Sequence, residues 1–144
     1  MLLILDTSVV LAALDSADPD HQACANLLNA QAGARVELVM PSTVLVELDY
    51  WISERLDPTV WRAVVHDLVV GAYRLEQVTL ADIVRASDVD AQYAALGLGL
   101  VDSSLVALAE RLGQTKLATL NLRDFRPVVP RHCPFLELLP ADLP

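Results

Sequence analysis

The sequence predicts an α/β protein in which helices cover both faces of a mostly parallel central sheet. Short, continuous apolar runs alternate with longer stretches of helical character, which is the pattern of buried parallel strands connected by helices. The chain has 144 residues, of which 54% are hydrophobic and only five are glycine, and it contains no linker or repeat. These features predict one domain over residues 1–144 with a sizeable buried core.

Five apolar runs are predicted to be strands. The first, Leu2–Leu5, contains no polar residue, as expected of a strand that is covered on both faces. Asp6 follows it directly, at the carboxyl end of the strand, where ligands bind in open parallel sheets. In chain order the predicted strands are Leu2–Leu5, Val36–Met40, Arg74–Val78, Lys116–Leu120 and Phe135–Leu139.

Six stretches between these strands are predicted to be helices. Asp18 and Pro19 are expected to be the N-cap and a first-turn residue of the second helix, and Asp57 with Pro58 starts the fourth. Gly113 is expected to end the sixth. The predicted helices are Thr7–Leu14, Asp18–Ala32, Pro41–Leu56, Asp57–Val70, Thr79–Leu96 and Val101–Leu112.

The charge of the chain is strongly negative. Ten Lys and Arg residues against 19 Asp and Glu give a net charge of −9, and the isoelectric point is near 4.5. This balance argues against a protein that coats nucleic acid through bulk positive charge. An enzyme that grips a few phosphates locally remains compatible with it.

Cysteine spacing and hydropathy predict the compartment. Cys24 and Cys133 have neither metal-site nor redox-motif spacing and are expected to be free thiols in a reducing compartment. The apolar start, Met1–Leu5, is too short for a signal segment, and no run approaches the roughly 18 apolar residues that cross a bilayer. We therefore expect a cytoplasmic protein that makes no membrane contact.

Four carboxylates stand beside apolar residues. Asp6 and Asp124 come after the first and fourth predicted strands, whereas Glu47 and Asp102 lie at the margins of the apolar stripes of their helices. Taken alone, each acid has an ordinary explanation as an N-cap, a solvated charge, a first-turn acid or a turn residue. Taken together, the four indicate one acidic site.

The chemistry of these acids predicts a divalent cation. Converging carboxylates repel one another, so some must stay protonated unless a cation neutralises them. Donor sets made only of oxygen suit Mg²⁺ or Mn²⁺ rather than zinc. The three histidines, His21, His66 and His132, are scattered, and the chain has no nucleophile elbow, P-loop or Gly-rich dinucleotide loop.

Four segments, in this order, resemble the motifs of a PIN domain. More closely, the chain resembles the VapC-type toxins of bacterial toxin–antitoxin pairs, and the similarity covers essentially its whole length. Any one motif is weak, but the ordered set is specific. The segments are Leu3–Ser8, Pro41–Glu47, Gly99–Ser104 and Thr119–Phe125.

The resemblance implies a PIN fold, an α/β/α sandwich, and a Mg²⁺- or Mn²⁺-dependent ribonuclease that a cognate antitoxin neutralises. It matches Asp6, Glu47, Asp102 and Asp124 to the four catalytic acids of the family, with Asp6, Asp102 and Asp124 as metal ligands. It also implies hydrolysis to 5′-phosphate and 3′-hydroxyl ends. Relatives are commonly homodimers.

The sequence departs from the family pattern at two places. Many relatives carry a further acid within the stretch that corresponds to residues 93–98, where this chain has none, and some carry Asp in place of Asn121. Four residues are expected to donate hydrogen bonds that orient the carboxylates, namely Thr7, Ser8, Thr119 and Asn121.

Basic residues near the fourth acid are predicted to bind the RNA. Residues 1–30 contain no Lys or Arg, whereas Lys116, Arg123 and Arg126 surround Asp124 in the sequence. A local basic rim beside an acidic metal site is what a phosphodiesterase requires.

Two other functions fit part of the sequence. A haloacid-dehalogenase-like phosphatase also has an Asp after its first strand, but it requires a second Asp two residues later, where this chain has Ser8. A PIN-like domain that has lost catalysis and only binds a partner is the other alternative. Retention of all four acids argues against it.

Overall fold

The central sheet has five strands, all parallel, in the spatial order β3-β2-β1-β4-β5. The computed structural model describes residues 1–144. All five predicted strands are present, and the α/β prediction is confirmed, with a sheet that is wholly rather than mostly parallel. The strands are β1 (Leu2–Leu5), β2 (Glu37–Pro41), β3 (Arg74–Glu76), β4 (Lys116–Ala118) and β5 (Glu137–Leu139).

Strand β1 lies in the centre of the sheet. Ile4 pairs with Val39 of β2 on one side and with Leu117 of β4 on the other. Leu3, Ile4 and Leu5 are fully buried, which explains why this strand contains only apolar residues. The strand order reverses between β1 and β4, and the crevice at such a reversal is the usual binding position in an open parallel sheet.

Seven helices connect the strands. Since crossovers between parallel strands are right-handed, the reversal of strand order at β1 distributes the helices over both faces of the sheet. The helices are α1 (Thr7–Leu14), α2 (His21–Gly33), α3 (Ser42–Arg55), α4 (Pro58–Val69), α5 (Leu80–Gln92), α6 (Gly99–Leu112) and α7 (Leu122–Phe125), with a 3₁₀ turn at Ala94–Leu96.

Local capping accounts for several helix ends. Asp57 accepts a hydrogen bond from the backbone N–H of Thr59, and Pro58 occupies the first turn of α4, as predicted. Thr79 and Asp82 form a reciprocal capping box at the start of α5. Gly113 ends α6 with φ of 63°, a left-handed conformation that favours glycine.

Three helix predictions differ from the structure. Helix α2 begins at His21, because the Asp18 side chain accepts a hydrogen bond from the N–H of Asp20 in a turn that precedes the helix. The helix predicted over Thr79–Leu96 ends at Gln92 and is followed by the 3₁₀ turn. Helix α7, one turn long, lies in a stretch for which no helix was predicted.

Helices α5 and α6 pack together through ion pairs as well as apolar contacts. Arg85 of α5 donates two hydrogen bonds to Glu110 of α6, at 2.8 and 2.9 Å. Arg111 of α6 donates to the buried Asp82 of α5, at 2.9 Å. Although burial raises the pKa of Asp82, the hydrogen bonds from Arg111 and Thr79 hold it below its ordinary value. These bonds fix the orientation of α6, which carries Asp102.

The remaining features concern redox chemistry and the membrane. Cys24 and Cys133 are both free thiols, as predicted, and Cys24 is buried. None of the helices combines the length and the apolar character that a membrane span requires.

Candidate active site

Asp6 lies at the carboxyl end of β1, at the reversal of strand order. Its side chain is only 4% exposed. Although Asp6 occupies the N-cap position of α1, its carboxylate makes no capping hydrogen bond. It instead accepts hydrogen bonds from the hydroxyls of Ser8 and Thr119, both at 2.7 Å. The side chain is therefore oriented toward the site and does not serve as a helix cap.

The two hydroxyls that hold Asp6 are themselves fixed by the backbone. Ser8 Oγ accepts a hydrogen bond from the N–H of Leu120 at 3.0 Å, and Thr119 Oγ1 accepts one from the N–H of Asn121 at 3.0 Å. A hydroxyl that accepts from the backbone has its hydrogen free to donate to the carboxylate. The ends of β1 and β4 thus position Asp6 jointly.

Burial dominates the electrostatics of Asp6. Desolvation raises the pKa of this carboxyl, and the hydrogen bonds from Thr119 and Ser8 partly oppose the effect. A buried anion of this kind is stable only with a compensating positive charge nearby.

Asp102 lies in the first turn of α6. Gly97 and Gly99, with φ of 64° and 75°, form the turn that leads into this helix. Burial raises the pKa of Asp102 to about 7, and repulsion from Asp6, Asp124 and Glu47 contributes to the shift. The structure therefore brings all four predicted acids into electrostatic contact at one place.

Asn121 connects two of the four acids. Its side-chain Nδ2 donates to Oδ2 of Asp124 at 2.8 Å and lies 3.3 Å from Oδ2 of Asp102. Helix α7, which begins at the next residue, presents Asp124 to this amide. An amide donor between two carboxylates relieves part of their mutual repulsion and holds them side by side.

Glu47 reaches the site from α3. A hydrogen-bond chain joins α3 to α6, because Thr43 Oγ1 lies 3.0 Å from Ser104 Oγ, which in turn donates to the carbonyl of Val101 at 2.7 Å. These contacts fix the helix that carries Glu47 relative to the helix that carries Asp102. Thr43 and Ser104 were not predicted to have this role, since nothing in the sequence indicates which hydroxyls will pair.

The acids surround a cleft of about 560 Å³. The sequence predicted Asp6, Glu47 and Asp102 here, but the charged and aromatic lining residues Asp18, Trp51 and Arg55 were not predicted. Trp51 and Arg55 follow Glu47 at intervals of four residues, so their common helical face was a signal available in the sequence. Asp124 does not line the cleft itself and acts on it from behind Asp102 and Asn121.

The donor set fits a divalent cation. Besides the carboxylates, Thr7 lines the cleft, and its hydroxyl is buried without any hydrogen-bond partner. No three acidic, His or Cys side chains converge closely enough to form a complete protein ligand set. Mg²⁺ commonly binds through one or two carboxylates and keeps several waters. Asp6 and Asp102, with a free hydroxyl beside them, match that requirement.

The three predicted RNA-binding residues are not brought together. Lys116 begins β4, at the end of the strand opposite to the site, and pairs with Glu137 at 3.2 Å. Arg126 is ion-paired with Asp142. Arg123 is 84% exposed and lies 4.0 Å from Oδ1 of Asp124. Of the three, only Arg123 is placed beside an acid of the site, and RNA binding by these residues stays a prediction.

Comparisons with known proteins agree with this geometry. Residues 3–128 match the model of the PIN domain. Over 128 residues, which are 89% of this chain and 93% of the relative, the chain is 34% identical to ribonuclease VapC26 of Mycobacterium tuberculosis (strain ATCC 25618 / H37Rv).

Solved structures share the fold. The crystal structure of VapC20 of Mycobacterium tuberculosis, described as a sarcin–ricin-loop-cleaving toxin, superimposes with a TM-score of 0.72 and 18% identity, over 80% of this chain and 86% of that one. VapBC2 of Rickettsia felis, bound to a DNA fragment from its promoter, superimposes with a TM-score of 0.70 and 18% identity, over 96% of this chain and 98% of that one. The motifs, the parallel sheet and the sequence match agree, and the chain belongs to the PIN-domain family.

Proposed function

We propose that this protein is a metal-dependent endoribonuclease of the VapC toxin type, which hydrolyses phosphodiester bonds of RNA in the cytoplasm. The observation that carries the proposal is the cleft in which Asp102 is buried and repelled by Asp6, Asp124 and Glu47. Such a cluster is stable in its charged form only beside a cation. The 34% identity to a ribonuclease adds independent support.

Asp6 and Asp102 are the residues that would hold the cation, either Mg²⁺ or Mn²⁺, and Asp124, which does not line the cleft, would contribute through a bound water. When bound, a cation of this kind neutralises charge on the phosphodiester and lowers the pKa of a coordinated water. Thr119 and Ser8 keep the carboxylate of Asp6 in one orientation. Hydrolysis would be in-line and, by resemblance to the family, would give 5′-phosphate and 3′-hydroxyl ends.

The other side chains handle water and protons. Glu47 lines the cleft and is the carboxylate available to position the attacking water and accept its proton, or to position a second ion. The unpartnered hydroxyl of Thr7 is available to hydrogen-bond a water in the cleft. Asn121 keeps Asp102 and Asp124 together.

A phosphatase of the haloacid-dehalogenase type is not favoured. That chemistry requires an acid two residues after the nucleophilic Asp, and Ser8 stands at this position. The hydroxyl of Ser8 is engaged with Asp6 and with the N–H of Leu120. A binding module without catalysis is also disfavoured, because all four acids are retained and interact electrostatically.

We propose two protein partners, a cognate antitoxin and a second copy of this chain. The structures of VapBC from Rickettsia felis and Salmonella typhimurium, which share this fold, support the first partner. Exposed apolar side chains on α3 and α5 support a protein interface, since Val46 is 73% and Leu80 is 76% exposed. Light scattering of the purified chain tests the homodimer, and inhibition of cleavage by the co-expressed antitoxin tests the first partner.

The test of the function is cleavage of single-stranded RNA with Mg²⁺, with Mn²⁺ and with EDTA. We expect cleavage with either cation, none with EDTA, and a loss of at least about a hundredfold in Asp6→Asn. Asp20→Asn is the matched control, because Asp20 is exposed and lies outside the cleft. Equal cleavage by the wild type and by Asp6→Asn would show that the cleft is not the site of RNA cleavage.

A further inference from the structure

Arg55 is the only positively charged side chain that lines the cleft. The other charged lining residues are the acids Asp6, Asp18, Glu47 and Asp102. Six of the ten Lys and Arg side chains form ion pairs, but Arg55 forms none and donates no hydrogen bond to the protein. The paired residues are Arg74, Arg85, Arg111, Lys116, Arg123 and Arg126.

Helix α3 places Arg55 on the same face as Glu47. Glu47, Trp51 and Arg55 follow one another at intervals of four residues, and all three line the cleft. An α-helix rises 1.5 Å per residue, so Arg55 lies roughly 12 Å along the helix axis from Glu47. The backbone of Arg55 is therefore displaced along the cleft from that of Glu47, so its side chain is placed to contact another part of the same bound strand.

Trp51 holds the guanidinium of Arg55 in place. The Cζ atom of Arg55 lies 4.3 Å from the centre of the Trp51 ring, within cation–π range. Tyr50 packs edge-on against Trp51, with 5.0 Å between the ring centres. Because the Arg55 side chain forms no ion pair, its N–H groups are available to an external acceptor.

We propose that Arg55, resting on Trp51, is a phosphate-binding residue that contacts the RNA backbone at a phosphate flanking the scissile one. This inference rests on the proposed ribonuclease function. The guanidinium fork matches the oxygens of a phosphate, and a guanidinium held on an aromatic ring loses little side-chain freedom on binding. RNA is favoured over an acidic protein segment, because a phosphate backbone repeats its charge. One phosphate can therefore bind the cation that the acids would hold, while a neighbouring phosphate contacts Arg55.

The test compares Arg55→Ala with Arg62→Ala, which makes the same change in net charge. Arg62 lies on α4, is exposed, forms no ion pair and does not line the cleft. The affinity of each variant for labelled single-stranded RNA is measured by fluorescence anisotropy over a range of salt concentrations. Steady-state cleavage with Mg²⁺ then separates KM from kcat.

We expect Arg55→Ala to weaken RNA binding about tenfold and to flatten the slope of log K against log salt by about 0.7, the value for one phosphate contact on a single strand. KM should rise with little change in kcat, because a contact away from the reacting bond stabilises the bound substrate and the transition state equally. Arg55→Lys should restore part of the affinity. Arg62→Ala should match the wild type.

Three other outcomes overturn the inference, in distinguishable ways. If the wild type cleaves RNA but Arg55→Ala keeps its affinity, KM and salt slope, Arg55 does not contact the substrate and the proposed function stands. An equal loss in Arg55→Ala and Arg62→Ala would assign the effect to net charge and not to the cleft. If the wild type neither binds nor cleaves RNA, the proposed function fails together with the inference.

Discussion

Replacement of Asp102 by Asn should stabilise the metal-free protein at alkaline pH. The amide keeps the size and shape of the carboxyl group but removes its charge from a place where burial and the charges of Asp6, Asp124 and Glu47 oppose it. The relief should grow as the pH rises from 3.8 to about 7, because the carboxyl ionises more readily in the unfolded state than in the folded state. Asp102→Asn therefore measures the electrostatic cost of the acid cluster directly.

The magnitude follows from the pKa of Asp102. Folding raises this pKa from 3.8 to about 7, and each pKa unit corresponds to about 1.4 kcal/mol. Because Asp102 is only partly buried, solvent screening reduces the resulting roughly 4 kcal/mol to about 2 kcal/mol. The folded state binds the proton more tightly than the unfolded state. The favourable contribution of protonated Asp102 is thus fully present below pH 3.8 and is lost as the pH rises to about 7.

Urea denaturation in EDTA, followed by circular dichroism, tests this reasoning at pH 4.5 and pH 8. At pH 8, Asp102→Asn should have a free energy of unfolding higher than the wild type by about 2 kcal/mol, and at pH 4.5 the difference should be smaller, because part of the contribution of protonated Asp102 is still present. Asp20→Asn is the control for a lost charge on the surface and should show no such pH dependence. Added Mg²⁺ should stabilise the wild type more than Asp102→Asn. Equal stability of the wild type and Asp102→Asn at pH 8 would refute the electrostatic reasoning.

Three other substitutions test separate parts of the structure. Thr119→Val removes a hydroxyl that donates to Asp6 while keeping the volume of the side chain at position 119. Calorimetric titration should show that Mn²⁺ binds about 10- to 100-fold more weakly. Unchanged Mn²⁺ affinity would mean that this hydroxyl does not orient the Asp6 carboxylate. Glu47→Gln should slow RNA cleavage by about a hundredfold or more. Asp49 is exposed on the same helix, and Asp49→Asn should cleave RNA at nearly the wild-type rate. Full activity of Glu47→Gln would show that this carboxylate takes no part in cleavage. Arg111→Met leaves the buried carboxylate of Asp82 without its ion pair. It should lower the free energy of unfolding by about 2 kcal/mol, measured by urea denaturation at pH 7. An unchanged free energy of unfolding would show that the ion pair does not stabilise the fold.

The sheet was predictable because its strands are buried on both faces. Leu2–Leu5 and the run around Leu117 show continuous apolar character, and Pro58 and Gly113 mark helix ends through their own backbone restrictions. The break after Gln92 was not predictable from periodicity, because the apolar spacing continues through Leu96. Gly97, with a positive φ, ends the 3₁₀ turn that follows.

The acidic site was predictable in its members and less so in its surroundings. Asp6 and Asp102 stand out because an acid beside buried residues is unusual. Nothing in the sequence shows that the hydroxyl of Thr119 will bind Asp6, since the two residues are 113 positions apart. The charge of Lys116 was visible, but its pairing with Glu137 depends on the register of β4 and β5. Local patterns indicate which residues are unusual, whereas the register determines which of them meet.

The insertion of β4 between β1 and β5 affects when the enzyme becomes active during its own synthesis. Asp6 is translated more than a hundred residues before Ala118 and Thr119, which pair with it. At bacterial elongation rates that delay is on the order of ten seconds. While β4 is still inside the ribosome, β1 has an open sheet edge and Asp6 lacks its hydrogen bond from Thr119. The proposed cleavage of RNA therefore requires that β4 has emerged, and a chain truncated before β4 should not cleave RNA.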